Sequence, residues 1–247
     1  MRAADIEAIE RATIAAVSPE AIQEVAGWIL PFDSGTVGRA KSAVPLSHEP
    51  PDLAVLPVIE ERYAARGLPV VLRVPVAAPF HAFCRLLERK GYVGDKPTQV
   101  HIAETSVVRK VSSGPPAEIA MAPDQGWASV FLGEGFDPVD GASRVKILSR
   151  AAGTLFASVR DNEGRTVAAG AASFAHGWAS VHGMRTALAC RGHGFAGRVL
   201  ATLAAKAQAH GYERMFLQVT ADSTPALALY RRAGFEPAWT YLYWRKG

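Results

Sequence analysis

The chain has 247 residues, of which 49% are hydrophobic and 20% charged, and its formal net charge is +4. That length and apolar content suffice for two domains of ordinary size with a sizeable core, and they exclude a largely disordered chain. The positive excess is mild and scattered, which points to a small anionic ligand and away from nucleic acid.

Cys84 and Cys190 stand far apart with no metal-ligand spacing between them. No metal centre is expected, and a reducing compartment is the simpler reading. The opening Met-Arg-Ala-Ala-Asp-Ile-Glu brings in acids too early for a signal peptide. No apolar run approaches the ~20 residues that a membrane span requires. A cytoplasmic protein without a membrane partner is the expectation.

In chain order, Asp52 to Ala65 reads as a helix closed by Gly67, and Pro69 to Pro75 as a strand. Phe80 to Lys90 reads as a helix ending at Gly91-Tyr92, and Gln99 to Val108 alternates as a strand. Turn-forming residues then collect in Ser112-Ser113-Gly114-Pro115-Pro116 and Pro123-Asp124-Gln125-Gly126. They suggest a boundary near Ser113, with an N-terminal domain over 1–112 and a C-terminal domain over 113–247. Beyond it, Asp140 to Ala151 carries Val145, Ile147 and Leu148 at helical spacing. Thr154 to Arg160 and Thr166 to Phe174 form a hairpin about Asp161-Asn162-Glu163-Gly164. His176-Gly177 is a further turn, followed by a strand from Trp178 to Thr186. Phe195, Val199 and Leu203 recur at i+4 in an amphipathic helix that runs to about His210 and is closed by Gly211. Met215 to Thr220 is a strand, Thr224-Pro225 opens a helix that stops at Gly234, and Trp239 to Trp244 is a last strand.

The pattern is α/β (α+β): a mixed central sheet flanked by helices. Both halves run helix, Gly, strand, helix, Gly-aromatic, strand. The layout reads as an internal duplication whose first copy is degenerate.

The chemistry concentrates in Arg191-Gly192-His193-Gly194-Phe195-Ala196-Gly197, which opens a helix. Glycines let a backbone turn its N–H groups toward a ligand, and the helix start adds partial positive charge. Together these suit a diphosphate, with Arg191 as a fixed cation beside it. Gly192-x-Gly194-x-x-Gly197 also matches a dinucleotide fingerprint. The preceding strand ends too early for that, however, and too few residues follow for a second mononucleotide half.

At these residues the sequence resembles the GNAT acetyltransferase superfamily. Its signature Arg/Gln-x-x-Gly-x-Gly/Ala is matched by Arg191 to Ala196, and its helix-ending Tyr-x-x-x-Gly-Phe by Tyr230-Arg231-Arg232-Ala233-Gly234-Phe235. The likeness covers roughly Pro123 to Gly247, and the two-copy layout is similar to tandem GNAT proteins. The resemblance implies a GNAT-like sheet and acetyl-CoA as co-substrate. Amides of Gly192, His193, Gly194, Phe195, Ala196 and Gly197 would hold the diphosphate. Met184, Arg185 and Thr186 would pair with the pantetheine arm, and a strand amide would polarise the thioester carbonyl. Tyr230 would protonate the departing thiolate or place a water that does. Where family members often carry Asn, this chain has Asp222-Ser223, so Ser223 would either contact the cofactor or cap its helix. His182 and Glu134 are candidate bases. The first copy has His48-Glu49-Pro50-Pro51 at the corresponding place, with no glycine pair and an acid that repels phosphate, so no CoA is expected there. The implied activity is N-acetylation of a small-molecule or peptide amine by direct attack. The alternatives are transfer of another acyl or aminoacyl group, or a CoA-binding module without turnover.

Overall fold

Ile6, Ile9, Thr13 and Val17 fall on one face of an N-terminal segment and are all buried, which explains helix α1 (Ala3–Val17). Ser18, in the left-handed region with φ 35°, ends it. In this computed structural model, which describes residues 2–247, β1 (Ala21–Val25) and β2 (Trp28–Phe32) then form a hairpin. Its turn, Ala26-Gly27, has positive φ at both residues. There follow β3 (Val44–Pro45), α2 (Val55–Ala64), β4 (Val71–Pro75), α3 (His81–Arg89), β5 (Tyr92–Glu104) and α4 (Thr105–Val108). The remainder is β6 (Glu118–Ala120), α5 (Gln125–Leu132), α6 (Pro138–Arg150), β7 (Leu155–Arg160), β8 (Thr166–Ala175), β9 (Trp178–Thr186), α7 (Phe195–Ala209), β10 (Arg214–Thr220), α8 (Thr224–Arg232) and β11 (Glu236–Lys246).

Two stretches differ from the sequence expectation. β5 starts at Tyr92, ahead of the expected Gln99, and Thr105–Val108 is a helical turn. The ladder with β11 shifts register between Tyr241 and Tyr243, where Lys96 takes φ 48°. That irregularity accommodates Pro97, whose missing N–H would otherwise break a central strand. The second difference is α5, which forms where turn residues were read. Asp124 is its cap, accepting a hydrogen bond from Trp127 N at 2.6 Å.

The main sheet has eight strands in the order β4-β11-β5-β10-β9-β8-β7-β6. Every neighbouring pair is antiparallel except β10 and β9. Such a mixed sheet is unlike the parallel sheet of a dinucleotide-binding fold. β1-β2-β3 make a separate small sheet. Strands from either side of Ser113 alternate in the large sheet, because β11 lies between β4 and β5, and β5 between β11 and β10. The same run of connections occurs twice. A three-strand meander (β1-β2-β3 or β7-β8-β9) makes a parallel step, through the bridge Ala43↔Leu72 or the β9–β10 ladder. A helix and a last strand follow each step.

Helices cover both faces. On one, Val199, Leu200 and Leu203 of α7 and Tyr230 of α8 pack on Ala168, Ala172, Val181 and Leu217. On the other, Ile9 and Ala12 of α1 meet Trp178, Phe216 and Tyr241, while Trp127, Phe131 and Leu148 of α5 and α6 meet Ala169 and Ala171. Each large apolar side chain so buried contributes about 1.5–3 kcal/mol.

A buried polar network links α1 to the strands beside it. The Glu10 carboxylate lies 3.0 Å from Arg73 Nη1, with the two side chains 3% and 0% exposed. Arg73 Nε donates to Ser42 Oγ at 3.2 Å. Gln218 Nε2 donates to Thr13 Oγ1 at 2.9 Å, and Tyr241 OH donates to Gln218 Oε1 at 2.8 Å. Among the described residues, no helix is long and apolar enough to cross a membrane.

Candidate active site

The parallel ladder between β9 and β10 runs through Met215↔Ala179, Phe216↔Ser180 and Leu217↔Val181, and there it stops. β9 continues on β8 as far as Thr186, and β10 continues on β5 as far as Thr220, so the two strands part. A bulge explains the parting. Ala171 faces His182 but Ala169 faces Arg185, leaving Gly183 and Met184 opposite Gly170 alone. Gly183 takes φ 59°, which favours glycine, and bulges bend and twist their strand. Gly170 is needed for space, since a Cβ there would lie 2.5 Å from Met184 Sδ and 2.8 Å from Val199 Cγ1. The edge of β9 beyond Val181 thus turns backbone groups toward an open gap.

At the end of β9 stands the glycine-lined entrance to α7. Gly192 and Gly194 have φ 82° and 78°, with nothing within 4 Å of where a Cβ would sit. Backbone conformation, not crowding, calls for glycine here. Among the described residues, no amide from Gly192 to Gly197 has an acceptor; the first committed donor is Arg198 N, bonded to Gly194 O at 3.2 Å. Arg191 is exposed and forms no ion pair among the described residues. His193 stacks on Phe195 at 6.0 Å, while Ala196 is half-buried and Gly197 buried. The entrance to α2 is different: Asp52 Oδ1 accepts from Ala54 N at 2.9 Å and Asp52 O from Val55 N at 3.1 Å. That helix start is occupied by its own chain.

Of the strand residues expected at the cofactor, Met184 and Thr186 are half-buried, and Met184 packs against the α7 core. The Arg185 side chain turns to the opposite face, 4.0 Å over the Phe136 ring and 3.9 Å from Asp140 Oδ2, so only its backbone faces the gap. Ser223 precedes α8 but its side chain makes no capping hydrogen bond. Glu134 is exposed in the loop between α5 and α6.

Tyr230 is buried, with its ring edge-on to Phe235 at 5.9 Å. Burial pushes its hydroxyl up to about 12, against a weaker opposing pull from Arg39, so it is a protonated donor at neutral pH. His182 is the first residue of β9 after the ladder stops. It is buried and neither ring nitrogen has a partner. Burial, helped by the Arg39 charge, lowers it to about 3, so the ring is neutral. Unfolded chains take up a proton at this position as pH falls below roughly 6.5, while folded ones refuse it down to about pH 3. Stability should therefore fall with acidification across that window, by up to about 1.4 kcal/mol per pH unit from this residue. In His182→Gln, urea midpoints should depend less steeply on pH there; an unchanged slope would show that the ring is not buried neutral.

Sequence reasoning overlooked Arg39. It sits in a single 3-10 turn, Gly38–Ala40, and lines a cleft of about 1310 Å³ with residues of α6, β10 and β11. A lone Arg in an irregular segment carries no periodic or motif signal.

A family model described as "Probable histone acetyltransferase Rv0428c C-terminal" matches residues 3–244. The chain belongs to this family of GNAT acetyltransferases. This GNAT chain is 27% identical over 237 residues to "Uncharacterized N-acetyltransferase YobR" of Bacillus subtilis (strain 168), covering 94% of this chain and 95% of that protein. Its fold is similar to that of a "GCN5-related N-acetyltransferase from Kribbella flavida" (TM-score 0.71, 19% identity, 98% and 95% of the two chains). It is also similar to a "Tandem GNAT protein from the clavulanic acid biosynthesis pathway" (TM-score 0.61, 13% identity, 98% and 96%). The family match runs across the boundary expected near Ser113. The GNAT signature thus sits where the parted strands open.

Proposed function

We propose that the chain is an acetyl-CoA-dependent N-acetyltransferase that acts on an amine by direct attack. One observation carries this reading: the unbroken run of uncommitted amides from Gly192 to Gly197 at the end of the gap between β9 and β10. Donors at a helix start are costly to leave bare and are suited to a diphosphate. When bound, acetyl-CoA would supply an acetyl thioester. The free edge of β9 would hold the pantetheine arm and donate to the carbonyl oxygen. The amine lone pair would form the new C–N bond as the C–S bond breaks. Tyr230 would hand its proton to the departing sulfur and regain one as the nitrogen loses its own. Neutral His182 would accept a hydrogen bond but would not hold a proton near neutral pH. The α2 entrance, filled by Asp52, supports a single cofactor site, and the repeated connections support a duplicated origin.

Calorimetry with acetyl-CoA, followed by a free-thiol assay over a panel of amines, tests this. Binding with thiol release that depends on an amine is expected. Absence of acetyl-CoA binding would sink the reading, and release of another acyl group alone would redirect it.

A further inference from the structure

Arg39 is fastened where it stands. Thr36 Oγ1 donates to Asp140 Oδ1 at 2.8 Å, and Thr36 N donates to Ser143 Oγ at 3.0 Å. Ser42 Oγ donates to Gly38 O at 2.8 Å. A Cβ on Gly38 would lie 2.9 Å from the Tyr243 ring, so the turn packs directly on β11. Val37 and Ala40, on either side, are buried in the α5–α6 core. The turn is thus held by both neighbours, which fixes the backbone from which Arg39 reaches into the cleft.

The other cations of the cleft are mostly answered. Arg144 meets Asp140 at 2.6 Å, Arg245 meets Asp95 at 2.8 Å, Lys246 meets Glu60 at 3.3 Å, and Lys41 Nζ donates to Gly35 O at 2.8 Å. Lys96 is exposed to water on the rim. Arg39 is half-buried and has neither a carboxylate nor a hydrogen-bond acceptor among the described residues. It shares its cleft with Gln218 and Thr220, the β10 residues just past Leu217 where the ladder to β9 ends, so it stands on the flank of the parted strands. On β9, His182 keeps both ring nitrogens unpartnered. A partly desolvated guanidinium without an anion is unfavourable, and its planar fork fits a carboxylate through two hydrogen bonds.

The anion it awaits is not the cofactor diphosphate. Arg39 belongs to the face covered by α1, α5 and α6, whereas the α7 entrance belongs to the opposite face. Asp222, exposed in the same cleft, supplies a carboxylate free of any partner among the described residues. An unanswered cation and an unanswered anion lining one cleft match a molecule that carries both charges.

We infer that Arg39 anchors a carboxylate of the acceptor, and that the acceptor is an amino acid or a close analogue holding amine and carboxylate in one molecule. The inference rests on the N-acetyltransferase reading. It also runs against a lysine-rich peptide as preferred acceptor, since such a chain would bring further positive charge to Arg39.

The experiment compares free amino acids, the matching amino-acid amides, and a lysine-rich peptide in the thiol-release assay, with the full chain and with Arg39→Gln. The wild type should favour the free amino acids. Arg39→Gln should raise KM for them by roughly ten- to a hundredfold, as loss of a charged hydrogen-bonded pair implies. Its KM for the amides and for acetyl-CoA should stay unchanged, and Arg39→Lys should recover part of the loss. A preference for the amides or the peptide overturns the inference, as does an equal KM rise for acids and amides. A rise confined to acetyl-CoA reassigns Arg39 to the cofactor. If no amine gives turnover, the N-acetyltransferase reading itself fails. Thermal melting then still decides Arg39: stabilisation by amino acids, absent with their amides and lost in Arg39→Gln, supports the anchor, and equal shifts refute it.

Discussion

Glu10→Ala is expected to cost the folded protein about 3–5 kcal/mol, read as a lower urea midpoint with an unchanged slope. The carboxylate lies 3.0 Å from Arg73 Nη1, and the Arg73 side chain is wholly buried. Removing the acid leaves the guanidinium with neutral neighbours, Ser42 Oγ at 3.2 Å and the Tyr241 ring at 5.4 Å. No rotamer change brings so enclosed a charge to water. Because Glu10 is on α1 and Arg73 on β4, the damage also loosens the helix that covers Trp178, Phe216 and Tyr241. Removing both charges in Glu10→Leu with Arg73→Met should recover much of the loss, since apolar replacement of a buried pair is often neutral. A single substitution costing less than about 1 kcal/mol would show that the pair is hydrated.

Tyr230→Phe should lower kcat by about 10²–10⁴-fold while acetyl-CoA binding is retained. The ring packs against Phe235 within the α7–α8 core, and the phenyl replacement keeps that packing. Only the hydroxyl is lost, a proton donor that burial holds up to about 12. The wild-type rate should also show no loss attributable to Tyr230 as pH rises through 8 and 9, because the phenol is still protonated there. Unchanged turnover with every accepted amine would remove Tyr230 from the reaction and leave proton delivery to water.

The elements from Pro138 onward were legible because hydrophobic spacing and turn residues agree there, as at Gly211 and Thr224-Pro225. Gly-Trp-Ala-Ser-Val shows where local reading fails. It occurs twice: Gly126–Val130 lies in α5, and Gly177–Val181 enters β9. The first copy follows Asp124, which caps a helix. The second follows Ala175-His176, and His176 with the copy's own Gly177 takes positive φ in a hairpin turn. Flanking residues decide, and the five shared ones do not. The start of α7 was readable since backbone conformation demands glycine at Gly192 and Gly194. Arg39 was not, because its position depends on packing against Tyr243 and on bonds to α6, both far off in sequence. For the same reason the expected division at Ser113 concealed how far the two halves are interwoven.

That interweaving constrains how the molecule assembles. β11 emerges from the ribosome well after β4 and β5, yet it must be seated between them. Until it arrives, β4 and the long β5 both present unpaired edges, which invite association with other chains. Tyr241 and Tyr243, which line the cleft shared with Arg39, travel on that strand. Completion of that cleft and closure of the sheet therefore arrive in the same late event, and slow pairing across so long a stretch of chain sets its pace.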